Sequence, residues 1–149
     1  MGKILSINIS KEKGTIKKPV DSAELLINHG IVGDAHAKNW HRQISLLADE
    51  SIETMREQLE DNTFNILKPG VFAENILTTG IELKTLPIGT QLKIGETIHE
   101  VTQIGKECHH GCEIRQIVGD CVMPREGIFT KVIRSGKIFV DDSIEIISK

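Results

Sequence analysis

The three cysteines of this chain lie within fourteen positions of one another, at Cys108, Cys112 and Cys121. Two of the six histidines are adjacent and stand between the first two cysteines. A thiolate is the form of cysteine that attacks electrophiles and binds soft metals, and cationic neighbours lower the pKa of a thiol. Lys106 and Arg115 supply such neighbours in the sequence. The segment therefore predicts thiolate chemistry, either with an electrophile or with a metal.

Core packing is the alternative for each cysteine, because free cysteines are among the most buried residue types. Polar neighbours favour function for Cys108 and Cys112, whereas core and function are both open for Cys121. Four glycines between positions 105 and 127 indicate a shaped loop more than a regular element. We therefore expect Cys108 and Cys112 to lie on a loop held by a scaffold.

A second polar stretch runs from Gly30 to His36 and continues to Arg42 and Gln43. With Asp34, it offers both hydrogen-bond donors and acceptors to a polar ligand. A solvated surface loop has the same composition, so both interpretations are open at this point.

A carboxylate and an amide, Glu74 and Asn75, interrupt the apolar run Val71–Leu77. Burying such groups without partners costs a few kcal/mol. They must therefore be paired or face a cavity, unless one of them points to solvent from the polar face of a strand.

The elements that must position these groups begin with a hairpin. Leu5, Ile7 and Ile9 alternate with polar residues, the period-two pattern of a half-buried strand. Its predicted partner is Thr15–Lys18, ended by Pro19.

One clear helix is predicted at Asp49–Glu60, where an N-cap residue precedes an apolar stripe at helical spacing. Residues 21–32 fit neither a helix nor a strand period and stay undetermined. From Gly80 onward short strands and tight turns predict a mainly antiparallel sheet. Its strands are expected at 83–86, 91–94, 97–104, 128–134, 137–140 and 143–147, with a hairpin around Ser135-Gly136 and a helical turn at 114–118. The predicted fold is a mainly β barrel with one clear α-helix and short helical turns.

The length of 149 residues predicts a single domain, residues 1–149. A net charge of −3 and an aromatic content of 3% argue against nucleic acid as the main partner. No apolar run is long enough to span a membrane, and an odd number of cysteines without a secretory signal indicates a reducing compartment. We therefore expect a cytoplasmic protein.

Several short segments, by their order and spacing over nearly the whole chain, resemble one known family. They are Gly30–His36, Arg42-Gln43, Phe72–Ile76, Ile88-Gly89, Ile94-Gly95, the cysteine that follows Val101–Glu107, and Gly127–Val132 with Gly136. The family is the MOSC domain, the C-terminal module of molybdenum cofactor sulfurases, which also occurs as a small free-standing bacterial protein.

The chain departs from the pattern of that family at three points. Glu107 stands where a proline usually precedes the key cysteine, and Ala73 replaces the glycine of a Gly-Glu-Asn element. Cys112 and Cys121 have no expected counterpart in most members.

The resemblance implies that Cys108, seven positions after Val101, carries sulfane sulfur as a persulfide or binds the molybdenum of the cofactor. Thiolates suit such soft metal centres. The pterin and phosphate of the cofactor, molybdopterin, need hydrogen bonds and cationic contacts. The residues implied for binding it are Asp34, His36, Arg42, Gln43, Glu74, Asn75, Lys106 and Arg125.

Three functions remain open from the sequence. The first is a carrier of the cofactor or its sulfur, with a cysteine desulfurase or a molybdoenzyme as partner. Pyridoxal phosphate would belong to that desulfurase. The second is a molybdenum-dependent reductase of N-hydroxylated bases or amidoximes, which requires an electron-donor protein. The third is a zinc or iron site formed by Cys108, His109, His110 and Cys112, although its spacing does not match structural zinc sites.

Overall fold

The computed structural model describes residues 2–12, 16–56, 70, 73–105 and 127–148. These residues form a closed β-barrel with a small second sheet against it. The elements are β1 (Gly2–Ile9), β2 (Lys18–Val20), β3 (Ser22–Leu26), β4 (Gly30–Ile31), β5 (Ile44–Ala48), α1 (Asp49–Arg56), β6 (Ile76–Thr79), β7 (Gln91–Ile94), β8 (Thr97–Ile104), β9 (Ile128–Arg134), β10 (Gly136–Phe139) and β11 (Ser143–Ser148).

Seven strands close the barrel in the order β11-β7-β8-β9-β5-β6-β1, because β1 also pairs with β11. All pairings in it are antiparallel except β5 with β6. A parallel pair needs a crossover, and α1 begins that connection directly after β5. The prediction of a mainly β barrel is confirmed.

The small sheet has the order β10-β3-β4. It contains the undetermined residues 21–32, which form β3, a turn and β4. The predicted hairpin between β9 and β10 around Ser135-Gly136 is wrong, since β10 pairs with β3 instead. Both edges of β9 are already occupied, one by β5 and the other by β8, so no edge is left for β10.

In strand β1 the predicted alternation fails at Leu5, whereas Ile7 is buried as predicted. Ile4 and Ile7 are fully buried, whereas Leu5 is 38% exposed. The register against β6 shifts between Ile4 and Ser6, and a bulge of this kind redirects the side chains that follow it. Ser6 and Asn8 are buried as well as Ile7, so both faces of this part of β1 are covered.

Two further local predictions are wrong and one extends past the described residues. Pro19 does not end the second strand but lies within β2, which pairs only with β1 and therefore tolerates a missing N–H. Residues 83–86 form a turn with Leu83 and Leu86 buried, not a strand.

Helix α1 begins at Asp49 as predicted. Residues 57–60 of the predicted helix and the predicted helical turn at 114–118 lie outside the described residues.

Loop 32–43 and the ends of β8 and β9 meet at one side of the barrel. Thr102 on β8 donates its Oγ1 hydrogen bond to the carbonyl of His41 and also to that of Phe129. Beyond the last β8–β9 pair, the Gly105 amide donates to the Gly127 carbonyl at 2.7 Å. Gly105 and Gly127, the described residues on either side of positions 106–126, are thus held together. No helix in the described part of the chain is long and apolar enough to cross a membrane.

Candidate functional site

Asp34 forms a buried ion pair with Lys17, a residue that sequence reasoning did not single out. Lys17 Nζ lies 2.7 Å from Asp34 Oδ1, and both side chains are fully buried. Ser10 completes the cluster, because its amide donates to Asp34 Oδ1 and its Oγ accepts from Lys17 Nζ at 3.1 Å. Buried charges are tolerated when they are paired in this way. Nothing in the spacing of Lys17 distinguishes it from the exposed lysines near it.

His36 is oriented by the same cluster. Its Nδ1 lies 3.0 Å from Lys17 Nζ, and its backbone amide donates to Asp34 Oδ2 at 3.2 Å. An ammonium group only donates hydrogen bonds, so Nδ1 must accept and the ring proton of this tautomer is on Nε2. The side chain of His36 is 22% exposed, so one edge of the ring reaches the surface. The predicted association of Asp34 with His36 is present, organised around Lys17.

Arg42 lies where loop 32–43 meets the start of segment 106–126. Its Nε donates to Gln103 Oε1 at 3.1 Å, and Gln103 Nε2 donates to the Gly105 carbonyl at 2.8 Å. The guanidinium carbon is 5.5 Å from the ring centroid of Phe129. Among the described residues, no acceptor lies within hydrogen-bond distance of the two terminal nitrogens of Arg42.

Glu74 and Asn75 are both fully buried, so neither points to solvent. Asn75 Oδ1 accepts from the Ser45 amide at 3.0 Å, and its Nδ2 donates to the Asn8 carbonyl at 3.1 Å. Glu74 Oε2 accepts from the Gly70 amide at 2.7 Å. These side chains join β1, β5 and the start of β6, and their role toward a cofactor remains a prediction.

Gln43 is also buried, and its Oε1 accepts from the Val132 amide at 2.9 Å. The other candidate residues, Lys106, Cys108 and Arg125, lie outside the described residues, as do Cys112 and Cys121. Within the described ranges, no group of three or more histidine, cysteine, aspartate or glutamate side chains is arranged to hold a metal ion.

The sequence pattern of the MOSC domain matches residues 33–145, which include the polar loop from residue 33 onward and all of residues 106–126. The chain belongs to the MOSC domain family. No curated protein matches it significantly. The matched span covers about three quarters of this MOSC chain, from just before Asp34 to β11.

Solved structures show the same fold. The YuaD protein of Bacillus subtilis superposes with a TM-score of 0.79 at 19% identity, over 100% of this chain and 97% of that one. YiiM of Escherichia coli superposes with a TM-score of 0.75 at 18% identity, over 100% of this chain and 71% of that one. YiiM of Geobacillus stearothermophilus superposes with a TM-score of 0.73 at 17% identity, over 99% of this chain and 75% of that one. At these identities the likeness establishes the architecture of the MOSC chain and not its activity.

Proposed function

We propose that this MOSC chain binds the molybdenum cofactor and handles its sulfur, with the Cys108 thiolate as molybdenum ligand or persulfide carrier. The observation that supports the proposal most is Arg42, whose terminal nitrogens are available beside Gly105, where the cysteine segment begins. Cys108 follows Gly105 by three positions, so chain length limits the separation of their Cα atoms to about 11 Å. We infer that one small ligand contacts both the guanidinium group of Arg42 and the thiol of Cys108.

The charges of the described residues fit a cofactor that carries phosphate. A planar guanidinium with two unused nitrogens can bind phosphate through two parallel hydrogen bonds. Asp34, the nearest acidic residue in the polar loop, is neutralised by Lys17 and does not oppose an anion as a free carboxylate would. When bound, the cofactor supplies a molybdenum centre for which a thiolate is a suitable ligand.

Different residues of the chain would then have different roles in binding the cofactor. Arg42 orients the phosphate, and stacking against Phe129 limits the positions that its guanidinium can take. The Lys17–Asp34 pair holds the ring of His36 in place, with Nδ1 as acceptor and the ring proton on Nε2. Asn75 acts from the core by joining β1 to β5, and Glu74 does so by binding the Gly70 amide.

The proposal is tested on protein isolated from cells that make the cofactor. We expect molybdenum, by elemental analysis, and a fluorescent pterin in comparable amounts. Cys108→Ser should lose bound molybdenum or persulfide with an unchanged circular dichroism spectrum, because serine is nearly isosteric. Arg42→Met should lower both molybdenum and pterin, whereas Cys112→Ser is the milder control.

The proposal fails if only zinc or iron is found, or if Cys108→Ser retains full molybdenum while Cys112→Ser loses it. Sulfur released by cyanide from the wild-type protein, and not from Cys108→Ser, would support the carrier role. Steady reduction of an N-hydroxylated base by the molybdenum-loaded protein with an artificial reductant would instead indicate a reductase.

A further inference from the structure

Gln103 joins His41 to Arg42 near the end of β8. Its Nε2 donates to the Gly105 carbonyl at 2.8 Å, which fixes the orientation of the amide, because a carbonyl oxygen only accepts. Its Oε1 therefore faces the other two side chains, at 3.1 Å from Arg42 Nε and 3.0 Å from His41 Nε2. Because both nitrogens contact the same oxygen, they are at most about 6 Å apart.

The contact with Gln103 also decides which ring nitrogen of His41 carries the proton. Gln103 Oε1 only accepts, so His41 Nε2 donates and Nδ1 of the neutral ring has a bare lone pair. A second proton on the ring leaves the hydrogen bond to Gln103 intact and turns Nδ1 into a donor. Protonation therefore changes this part of His41 from an acceptor into a cation without a change of partner.

His41 is held in place although its side chain is exposed. Thr102 Oγ1 donates to its backbone carbonyl, which attaches the residue to β8. The ring makes an edge contact with Trp40, with 5.8 Å between the two ring centroids. A ring that is fixed and open to solvent can gain or lose a proton while the loop stays where it is.

The charged groups around His41 are mainly positive. Lys38 and Arg42 lie on the same loop, and Lys131 on β9 lines a small cavity together with His41. The charge of Lys131 is balanced by Glu100 of β8 at 3.5 Å. The other two side chains therefore set the sign of the local charge.

The remaining titratable groups of loop 32–43 are Asp34 and His36. Lys17 Nζ lies 2.7 Å from Asp34 Oδ1 and 3.0 Å from His36 Nδ1, so the carboxylate is paired inside the protein. It does not offset the positive charge of Arg42 as an open carboxylate would.

Charges this close to each other interact, since screening in dilute salt acts over about 10 Å. Histidine is the side chain that changes its charge between pH 5 and 8. A dianion bound at Arg42 favours the protonated ring of His41, and the protonated ring favours the bound dianion to the same extent.

We propose that His41 makes anion binding at Arg42 dependent on pH, because its protonated ring adds a positive charge to the site. This inference rests on the proposed function, in which Arg42 receives the phosphate of the cofactor. The chain then holds that phosphate more firmly in mildly acid solution and releases it more readily as the pH rises. His41 acts through its charge and takes no part in a chemical step.

Sulfate tests the proposal, because it remains a dianion at both pH 6 and pH 8. Its affinity is measured at constant ionic strength from the shift of the Arg42 Nε–H signal in ¹⁵N-labelled protein. We expect sulfate to bind the wild type about threefold or more tightly at pH 6 than at pH 8. His41→Gln keeps a donor for Gln103 but cannot gain a charge, so it should lose most of this difference. His29→Gln makes the same change in a surface turn and should keep it.

Two further measurements complete the test. Arg42→Met should lose sulfate binding at both pH values. In the wild type, saturating sulfate should raise the pH at which the ring of His41 gains its proton, followed by NMR of its ring C–H signals. This titration decides alone if His41→Gln does not fold.

The proposal is overturned if sulfate does not bind, if its affinity is the same at both pH values, or if Arg42→Met binds it like the wild type. It is equally overturned if folded His41→Gln keeps the full pH dependence or if sulfate leaves the His41 titration unchanged. The cofactor proposal is judged separately, by the molybdenum and pterin contents of the isolated protein, so the two proposals can fail independently.

Discussion

His99 on β8 has a structural role inside the barrel. It is fully buried, and this burial lowers the pKa of its ring from 6.5 to about 3. Thr97 Oγ1 donates to the Ile94 carbonyl, so it accepts from His99 Nε2–H at 2.9 Å. His99 Nδ1 then accepts from Thr130 Oγ1 at 3.1 Å. The neutral ring has both its nitrogens satisfied, and a second proton would break this arrangement.

This arrangement predicts a loss of stability in mild acid. In the unfolded chain the ring takes up a proton near pH 6.5, but in the folded protein only near pH 3. The contribution of His99 is therefore constant above pH 6.5 and falls as the pH decreases toward 3. By pH 5 the free energy of unfolding should be lower by about 2 kcal/mol than above pH 6.5 because of His99.

The measurement is urea unfolding at pH 8 and pH 5. His99→Met should lose most of this pH dependence, whatever the substitution does to the free energy of unfolding at pH 8. His29→Gln, a change in a surface turn, should keep the pH dependence. Equal pH dependence in wild type and His99→Met would contradict the assignment.

At the level of elements, the polar loop 32–43 is attached to the β1–β2 hairpin by buried charge. Lys17 precedes β2 and Asp34 follows β4, yet their side chains meet at 2.7 Å with no solvent exposure. The Ala35 amide also donates to the Ser10 carbonyl at 2.8 Å. The position of the loop, and with it His36, thus depends on contacts with a distant hairpin.

Lys17→Met should destabilise the protein by about 3–5 kcal/mol, because Asp34 would remain buried without its partner. The double variant Lys17→Met/Asp34→Leu should cost less than the sum of the single changes. Lys131→Met is the matched control, since the Lys131–Glu100 pair is partly exposed and 3.5 Å long and should contribute less than about 1 kcal/mol. Chemical denaturation of the wild type, the two single variants Lys17→Met and Asp34→Leu, the double variant and Lys131→Met measures these costs. A cost for Lys17→Met no larger than that for Lys131→Met would show that the buried pair does not hold the loop.

On the scale of the whole molecule, the barrel and the small sheet share one hydrophobic core. The cluster includes Ile4 and Ile44 from the barrel together with Leu25, Ile31 and Ile138 from the small sheet. Because neither sheet encloses a separate core, neither can lose its packing without exposing the apolar face of the other.

We therefore expect a single cooperative unfolding transition. Trp40, the only tryptophan, lies in the loop between β4 of the small sheet and β5 of the barrel. Its fluorescence and the far-UV circular dichroism of the strands should follow the same urea curve. Two separated midpoints would mean that the small sheet unfolds by itself.

Local patterns in the sequence were sufficient for much of the architecture. The alternation and turn residues predicted β7 at 91–94, β8 at 97–104 and β9 at 128–134 with the bounds observed. They also predicted the start of α1 and the mainly antiparallel barrel. These features depend on the alternation of apolar and polar side chains and on turn residues within a short stretch. Both can be read from the sequence alone.

The tertiary structure decided the features that depend on competition between distant parts of the chain. Strand β10 pairs with β3 because both edges of β9 are occupied, and the bulge in β1 turns Leu5 outward. The sequence indicated that Asp34 and His36 belong to one polar site, but it carried no sign that Lys17 would be buried between them. The ion pair of Asp34 with Lys17 and the hydrogen bond from the Val132 amide to Gln43 form only where separate elements meet. A contact between distant residues leaves no periodic pattern in either segment of the sequence.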